Sequence, residues 1–214
     1  MSLVALRRFS VALARRGDWS PGERCELCAA TIGDGHRHVV DLGRRTICCS
    51  CIPCALLFEQ PGAGANHYRT VPSRVCSDPE PLDERRWEAL NVPVSLAFVF
   101  FNSTLSRWVV SYPGAAGATE SELPLDEMGA MVASSRLLRA ARPDVEALLV
   151  RGKRGGGVAD ALLVPIDACY DLVGLVRRDW KGFDGGDEVR RKLDEFFSSL
   201  RARSRPLPAE GSRA

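Results

Sequence analysis

The segment CELCAATIGDGHRHVVDLGRRTICCSCIPC, residues 25–54, contains two Cys-x-x-Cys pairs separated by 22 residues. The paired residues are Cys25, Cys28, Cys51 and Cys54. Two intervening residues let both sulfurs of a pair face one point, and this separation lets two pairs close on one tetrahedral ion. The segment therefore predicts a four-thiolate metal site. Because four thiolates leave no coordination position for water, zinc with a structural role is the predicted occupant.

Other side chains in the segment are also possible metal ligands, so the sequence does not decide which residues bind the ion. Possible additional ligands are Cys48, Cys49, His36 and His38. Cys48 has the same spacing to Cys51 as a pair partner, so it could substitute in the second pair. Extra thiolates also allow an iron–sulfur cluster. A rubredoxin-like iron centre is a further alternative, although Ala29 and Ala55 stand where rubredoxin knuckles carry glycine.

His38 also suggests a nuclease. HNH-like nucleases carry a histidine strand inside a treble-clef zinc scaffold, and His38 lies ten residues after Cys28. No histidine lies close after Cys54, however, and no asparagine stands between the two pairs. An HNH-like nuclease is therefore retained only as an alternative.

The composition of the 214-residue chain is that of an ordinary globular protein. Apolar residues make up 45% and charged residues 26%, which excludes wholesale disorder. The 29 basic residues nearly balance the 27 acidic ones, which argues against a dedicated nucleic-acid binder. No apolar run reaches the roughly 18 residues of a membrane span, and no export signal is predicted. Paired thiols then favour a cytoplasmic metal-binding protein over a disulfide framework.

Four parts are expected along the chain. Residues 1–17 repeat leucine and phenylalanine at three- and four-residue steps, which predicts an amphipathic helix. Residues 18–75 are expected to form the cysteine-rich metal-binding unit. The polar, proline-rich stretch 76–83 indicates a linker. An α+β domain over residues 83–203 and a flexible tail over 204–214 complete the predicted organisation.

Regular patterns in the second half predict an antiparallel sheet packed with helices. Hairpins are predicted within residues 94–112 and 146–166, with a helix over 126–141 between them. Two further helices are expected to begin near Asp167 and Asp187, whose side chains can cap them. The predicted class is α+β: a treble-clef or zinc-ribbon-like knuckle unit, followed by an antiparallel sheet that helices cover on one face.

Several sequence blocks carry a family resemblance. They are Cys25-Glu-Leu-Cys28, His36-Arg-His38, Cys49-Ser-Cys51-Ile-Pro-Cys54, Tyr68-Arg69-x-Val71-Pro72, Gly117-Ala-Thr-Glu-Ser121, Leu163-Val-Pro-Ile-Asp167-Ala-Cys169-Tyr170 and Trp180-x-Gly182-Phe183. Together they resemble an uncharacterised bacterial family encoded beside nickel-iron hydrogenase genes, over about residues 20–200.

The resemblance implies a cytoplasmic accessory protein for hydrogenase assembly, maturation or electron transfer. Its expected partner is the hydrogenase or one of its maturation factors. The aromatic segment at residues 180–183 has two interpretations, a tight helix–helix connection with Trp180 and Phe183 in the core or a partner-facing corner. The resemblance also favours Cys49 over Cys48 as the additional thiol and draws attention to Cys169 and Tyr170. The residues themselves show no arrangement of nucleophile, base and oxyanion donors, so a non-enzymatic role is predicted.

Overall fold

The computed structural model describes residues 23–60, 62–80, 82, 84–89, 95–114, 117–121, 125–153, 156–179 and 186–208. The helix predicted over residues 1–17 and the aromatic segment at residues 180–183 lie outside the described residues. Both therefore remain predictions.

The cysteine-rich part of the chain folds as a small three-stranded antiparallel sheet with a short helix. Its elements are β1 (Arg37–Asp41), β2 (Thr46–Ser50), α1 (Ile52–Leu57), a 3₁₀ turn (Ala63–Asn66) and β3 (Tyr68–Thr70). Strand β1 lies in the centre, paired with both β2 and β3. Along the chain, the first cysteine pair is followed by the β1–β2 hairpin. A helix then begins at the second cysteine pair. This is the treble-clef order, one of the two predicted forms.

A larger sheet occupies the second half of the chain. Its strands are β4 (Cys76–Ser77), β5 (Leu96–Asn102), β6 (Arg107–Gly114), β7 (Gly117–Ser121), β8 (Glu146–Gly152), β9 (Val158–Pro165) and β10 (Arg205–Pro206). In the described part of the chain the order is β10-β4-β9-β8-β5-β6-β7, with every neighbouring pair antiparallel except β10 and β4. The β5–β6 and β8–β9 hairpins and the α+β class are confirmed.

Two segments expected to be irregular form short strands at one side of the large sheet. Cys76–Ser77, at the start of the predicted linker, pairs with β9, and Arg205–Pro206, in the predicted tail, pairs with Cys76–Ser77. The amide of Leu207 continues this pairing by donating to the Ser77 carbonyl at 2.9 Å. These short strands satisfy backbone groups that β9 would otherwise expose at the edge of the sheet. The division into separate folding units near residues 76–83 stays a prediction.

Helices cover both faces of the large sheet, which corrects the expectation that they cover one face. They are α2 (Glu84–Ala89), α3 (Leu125–Ser134), α4 (Arg136–Ala140), α5 (Ile166–Asp179) and α6 (Gly186–Arg203). Met131 of α3 lies in one apolar cluster with Leu148 of β8, whereas Leu172 of α5 lies in another with Leu149. Neighbouring strand residues face opposite sides, so β8 is covered on both. The continuous apolar run at residues 147–150 is typical of such a strand.

The helix predicted over residues 126–141 is two helices. Ser135 adopts an extended backbone, with φ −97° and ψ 113°, and separates α3 from α4. Its hydroxyl accepts a hydrogen bond from the Leu138 amide at 3.3 Å. Serine at this position caps a new helix by satisfying an amide that has no partner within the helix. The predicted single helix was therefore wrong at Ser135.

The small sheet packs against the face of the large sheet that carries α5. Val40 and Val71 belong to the same apolar cluster as Phe98 of β5. An ion pair joins the two parts as well, with Arg69 Nη1 2.8 Å from Asp144 Oδ2. The cysteine-rich unit is thus held in a defined position on the large sheet.

Candidate metal centre

The first cysteine pair lies in a tight turn ahead of strand β1. The Ala29 amide donates to the Cys25 carbonyl at 2.7 Å, and the Cys25 amide donates to the Ala30 carbonyl at 2.8 Å. Ala29 has a φ of 60°, a left-handed conformation that favours glycine. The turn therefore adopts the backbone geometry of a metal knuckle although alanine stands at its left-handed position.

The second cysteine pair lies at the start of helix α1. Cys51 is the N-cap residue, and Cys54 follows within the first turn. Pro53 fits there because amides in the first helical turn lack partners within the helix. The Ala55 amide closes the turn by donating to the Cys51 carbonyl at 3.0 Å. The beginning of the helix thus sets the spacing of both sulfurs.

Four sulfur atoms converge between these two turns. Those of Cys25, Cys28, Cys51 and Cys54 all lie within 4.8 Å of one another. The Sγ atoms of Cys28 and Cys51 are 3.6 Å apart, and all four thiols are free. Zn–S bonds of about 2.3 Å in a tetrahedron place sulfurs about 3.8 Å apart. This arrangement, called the four-cysteine cluster below, is compatible with metal binding.

The thiols of the four-cysteine cluster oppose one another's ionisation. Burial raises the pKa of the Cys25 thiol, but hydrogen bonds from the amides of Cys51, Cys28 and Leu27 lower it overall to about 6. The neighbouring Cys51 side chain, followed by burial, raises the pKa of Cys54 well above its ordinary value. Thiolates this close repel one another, so a cation is what allows all four to be ionised together.

The possible additional ligands lie in different places. His36, His38 and Cys49 form a second group whose ligand atoms also lie within 4.8 Å of one another, and it shares no residue with the four-cysteine cluster. Cys48 belongs to neither group; it is buried, with Thr46 Oγ1 at 4.0 Å from its sulfur. Because Cys48 and Cys49 are consecutive on β2, their side chains point to opposite faces.

Cys169 and Tyr170, to which the family resemblance drew attention, both lie on helix α5. Cys169 is fully buried in the apolar cluster, and burial raises the pKa of its thiol well above the ordinary value. A buried thiol of this kind is inert. Tyr170 is partly exposed, with its ring centroid 5.9 Å from that of Phe98. Both side chains therefore make packing contacts.

Two carboxylates that the sequence patterns did not assign to a metal site contact two of the possible additional ligands. Glu26, inside the first pair, accepts a hydrogen bond from the Cys49 amide at 2.7 Å, while its own amide donates to the Cys49 carbonyl at 2.9 Å. Asp167 Oδ2 lies 2.8 Å from His38 Nδ1, although 129 positions separate them. The pattern around Asp167 predicts a helix start alone, and no local signal could have paired it with His38.

Fold and site together define an α+β protein in which a treble-clef unit with a four-cysteine cluster is mounted on a helix-covered sheet. The chain belongs to the DUF5947 family, a family of unknown function, whose profile matches residues 24–204. Neither a curated protein nor a solved structure matches the chain. Among the described residues, no helix is both long and apolar enough to cross a membrane.

Proposed function

We propose that the four-cysteine cluster binds one zinc ion that maintains the fold of the small unit, and that the protein is a non-enzymatic accessory protein of a nickel-iron hydrogenase in the cytoplasm. The observation that carries the metal assignment is the convergence of four free thiols from a knuckle and a helix start. Zinc suits such a site because it takes four thiolates in a closed tetrahedron.

A protein partner is supported by apolar side chains beside the cluster. Ile52, Leu56 and Leu57 of helix α1 are 61%, 55% and 67% exposed. Large exposed apolar groups gathered on one short helix mark a contact surface. The resemblance to a family encoded beside hydrogenase genes supplies the identity of the partner, either the hydrogenase or a maturation factor.

The partner proposal is tested by affinity purification of the tagged protein from hydrogenase-expressing cells. We expect a hydrogenase subunit or maturation factor to co-purify, and Leu56→Asp to reduce its yield. Leu105→Asp, which changes an exposed leucine in the β5–β6 turn, is the matched control and should leave the yield unchanged. Full hydrogenase activity in a deletion strain, with no hydrogenase component recovered, would reject the proposal.

The exposure of Cys28 keeps an electron carrier as the second candidate, because a redox metal must lie near the surface to exchange electrons with a partner. Iron or an iron–sulfur cluster would then replace zinc at the same four sulfurs. Elemental analysis and visible absorption of anaerobically purified protein separate the two. Colourless protein containing zinc supports the accessory role, whereas coloured, redox-active protein containing iron supports the carrier.

A further inference from the structure

The second group of metal-binding side chains has the geometry of a site in its own right. His38 and Cys49 are directly opposite in the β1–β2 register, so their side chains share one face of the hairpin. His36 precedes His38 by two positions, and the two ring centroids are 4.8 Å apart. One ligand atom from each of the three residues lies within 4.8 Å of the other two.

The surroundings of His36 leave one ring nitrogen without a partner. Its Nδ1 lies 2.9 Å from the Gly33 carbonyl oxygen and 3.2 Å from Glu23 Oε2. Both neighbours are acceptors, so we assign the ring proton to Nδ1. Nε2 then carries a lone pair, and it is buried without a hydrogen-bond partner, on a side chain only 10% exposed. A buried polar atom without a partner is costly, and a metal ion would satisfy this one.

His38 is oriented by a carboxylate in the way that metal-binding histidines are. Its Nδ1 donates to Asp167 Oδ2 at 2.8 Å, which leaves Nε2 with the free lone pair. A carboxylate on the far nitrogen fixes the tautomer and ring orientation of a metal ligand and makes it more basic. The Nδ1 of His36 faces the Gly33 carbonyl oxygen in the same way that the Nδ1 of His38 faces Asp167. Both rings are therefore prepared to bind through Nε2.

We propose that His36, His38 and Cys49 form a second metal site, which binds one divalent transition-metal ion of the zinc type and leaves one coordination position open. Two imidazoles and a thiolate favour such an ion over Mg²⁺ or Ca²⁺, which take oxygen ligands. Three protein ligands with a free fourth position are typical of zinc sites that bind water or substrate. All three residues are partly buried.

Acidic side chains around the second site favour a cation there. Glu23 and Glu26 approach from the knuckle segment, and Asp167 and Asp171 approach from helix α5. Their combined negative potential favours a positive ion at this position. Two hydrogen bonds between Glu26 and Cys49, one between backbones and one to the Glu26 carboxylate, also place the second site next to the first knuckle.

The experiment measures zinc bound to the full-length protein after purification from zinc-supplemented cells and gel filtration. We expect roughly two ions per chain in the wild type, one in each site, and one in His38→Ala and in Cys49→Ser. His67→Ala and Cys48→Ser are matched controls and should keep two. His67 is exposed, and Cys48 points to the opposite face of β2 from Cys49.

Cobalt provides a second readout. A weak chelator should remove zinc from the three-ligand site first, and added Co²⁺ should then give the absorption of cobalt bound to a single thiolate. Asp167→Asn should weaken this Co²⁺ binding about 10–100-fold without loss of the other zinc, as expected when a group that orients a ligand is changed. Far-UV circular dichroism shows that each variant is folded, and His36→Gln replaces any variant that is not.

The two proposals fail in different ways. Wild-type protein with one zinc ion, kept in His38→Ala but lost in Cys28→Ser, would overturn the second site and leave the four-cysteine site in place. Zinc kept in Cys28→Ser and lost in His38→Ala would reject the four-cysteine site alone. Two ions per chain in both His38→Ala and Cys49→Ser would also overturn the second site.

Discussion

The small cysteine-rich sheet and the large sheet differ in what they bury. Among the largest fully buried side chains of the described residues, the small sheet contributes Val39, whereas the large sheet and its helices contribute Phe98, Phe197 and Met131 with several leucines. A unit of this size buries too little apolar surface to be stable alone and needs a metal or another staple. Metal ligation should therefore govern the stability of the small sheet, and apolar packing that of the large sheet.

The largest effect is expected from removing one ligand of the four-cysteine cluster. Cys51→Ser should unfold the small sheet, because structural zinc contributes about 10–16 kcal/mol of apparent binding free energy in zinc-finger peptides. Hydrogen exchange read by mass spectrometry should show loss of protection in β1 and β2, with β8 and β9 still protected. Cys48→Ser is the control. Loss of protection in both sheets together would show that they unfold as one cooperative unit, and would contradict the claim that only the small sheet depends on metal.

The next effect belongs to the large sheet. Glu146 is fully buried and accepts hydrogen bonds from Arg74 Nε at 2.5 Å, Arg74 Nη2 at 2.7 Å and the Arg142 amide at 2.8 Å. Glu146→Ala should lower the free energy of unfolding by about 1–3 kcal/mol, because it removes the acceptor of the Arg142 amide and of the Arg74 guanidinium, whose side chain is 38% exposed. Chemical denaturation measures the change, and bound zinc should stay constant. A parallel loss of zinc would mean that the two sheets depend on the same interactions.

A surface ion pair calibrates this measurement. Arg191 and Glu195 are exposed on helix α6, with Nη1 2.6 Å from Oε1. Glu195→Ala should lower the free energy of unfolding by no more than about 0.5 kcal/mol, as pairs four residues apart on a helix surface do. A cost close to that of Glu146→Ala would show that burial is not what makes the Glu146 network important.

An intermediate effect, larger than that of the surface ion pair, tests the helix start that divides α3 from α4. Ser135→Ala should lower the free energy of unfolding of the large sheet by about 1 kcal/mol, since it removes the side-chain cap. Ser134→Ala is the matched control, because the Ser134 hydroxyl only donates back to the Met131 carbonyl within α3. Equal effects at the two serines would argue that the cap contributes nothing.

The last effect is a gain in stability, and it is confined to the small sheet. Ala29→Gly should stabilise the zinc-bound small sheet by about 0.5–1 kcal/mol, because glycine adopts a left-handed backbone without the cost that alanine incurs. The rate of zinc release to a chelator measures this change, and it should fall. Ala30→Gly, at a position without a positive φ, should give no gain. Faster release from Ala29→Gly would contradict the prediction.

Local sequence patterns predicted those structural features that depend on residues close together in the chain. The spacing of Cys25, Cys28, Cys51 and Cys54 indicated the cluster, and apolar runs located both hairpins, because these signals repeat within a few residues. The break at Ser135 was missed because the apolar stripe continues across it. The coverage of both sheet faces was missed although the unbroken run at residues 147–150 signals it.

The second histidine and cysteine group could not be separated from the cluster by spacing. Its definition depends on the β1–β2 register, which places Cys49 opposite His38 and turns Cys48 away. It depends also on Asp167, which long-range packing brings to His38. The hydrogenase partner came from resemblance alone and stays a prediction.

The hydrogen bond from His38 to Asp167 has a consequence for the timing of synthesis. At about 5–20 residues per second, a ribosome adds Asp167 roughly 6–26 s after His38. During that interval the nascent small sheet has neither its carboxylate partner nor the large sheet on which to pack. Until then bound metal, rather than packing on the large sheet, is what can hold the cysteines of the small sheet together. We expect metal starvation to leave newly made chains, rather than finished ones, open to proteolysis.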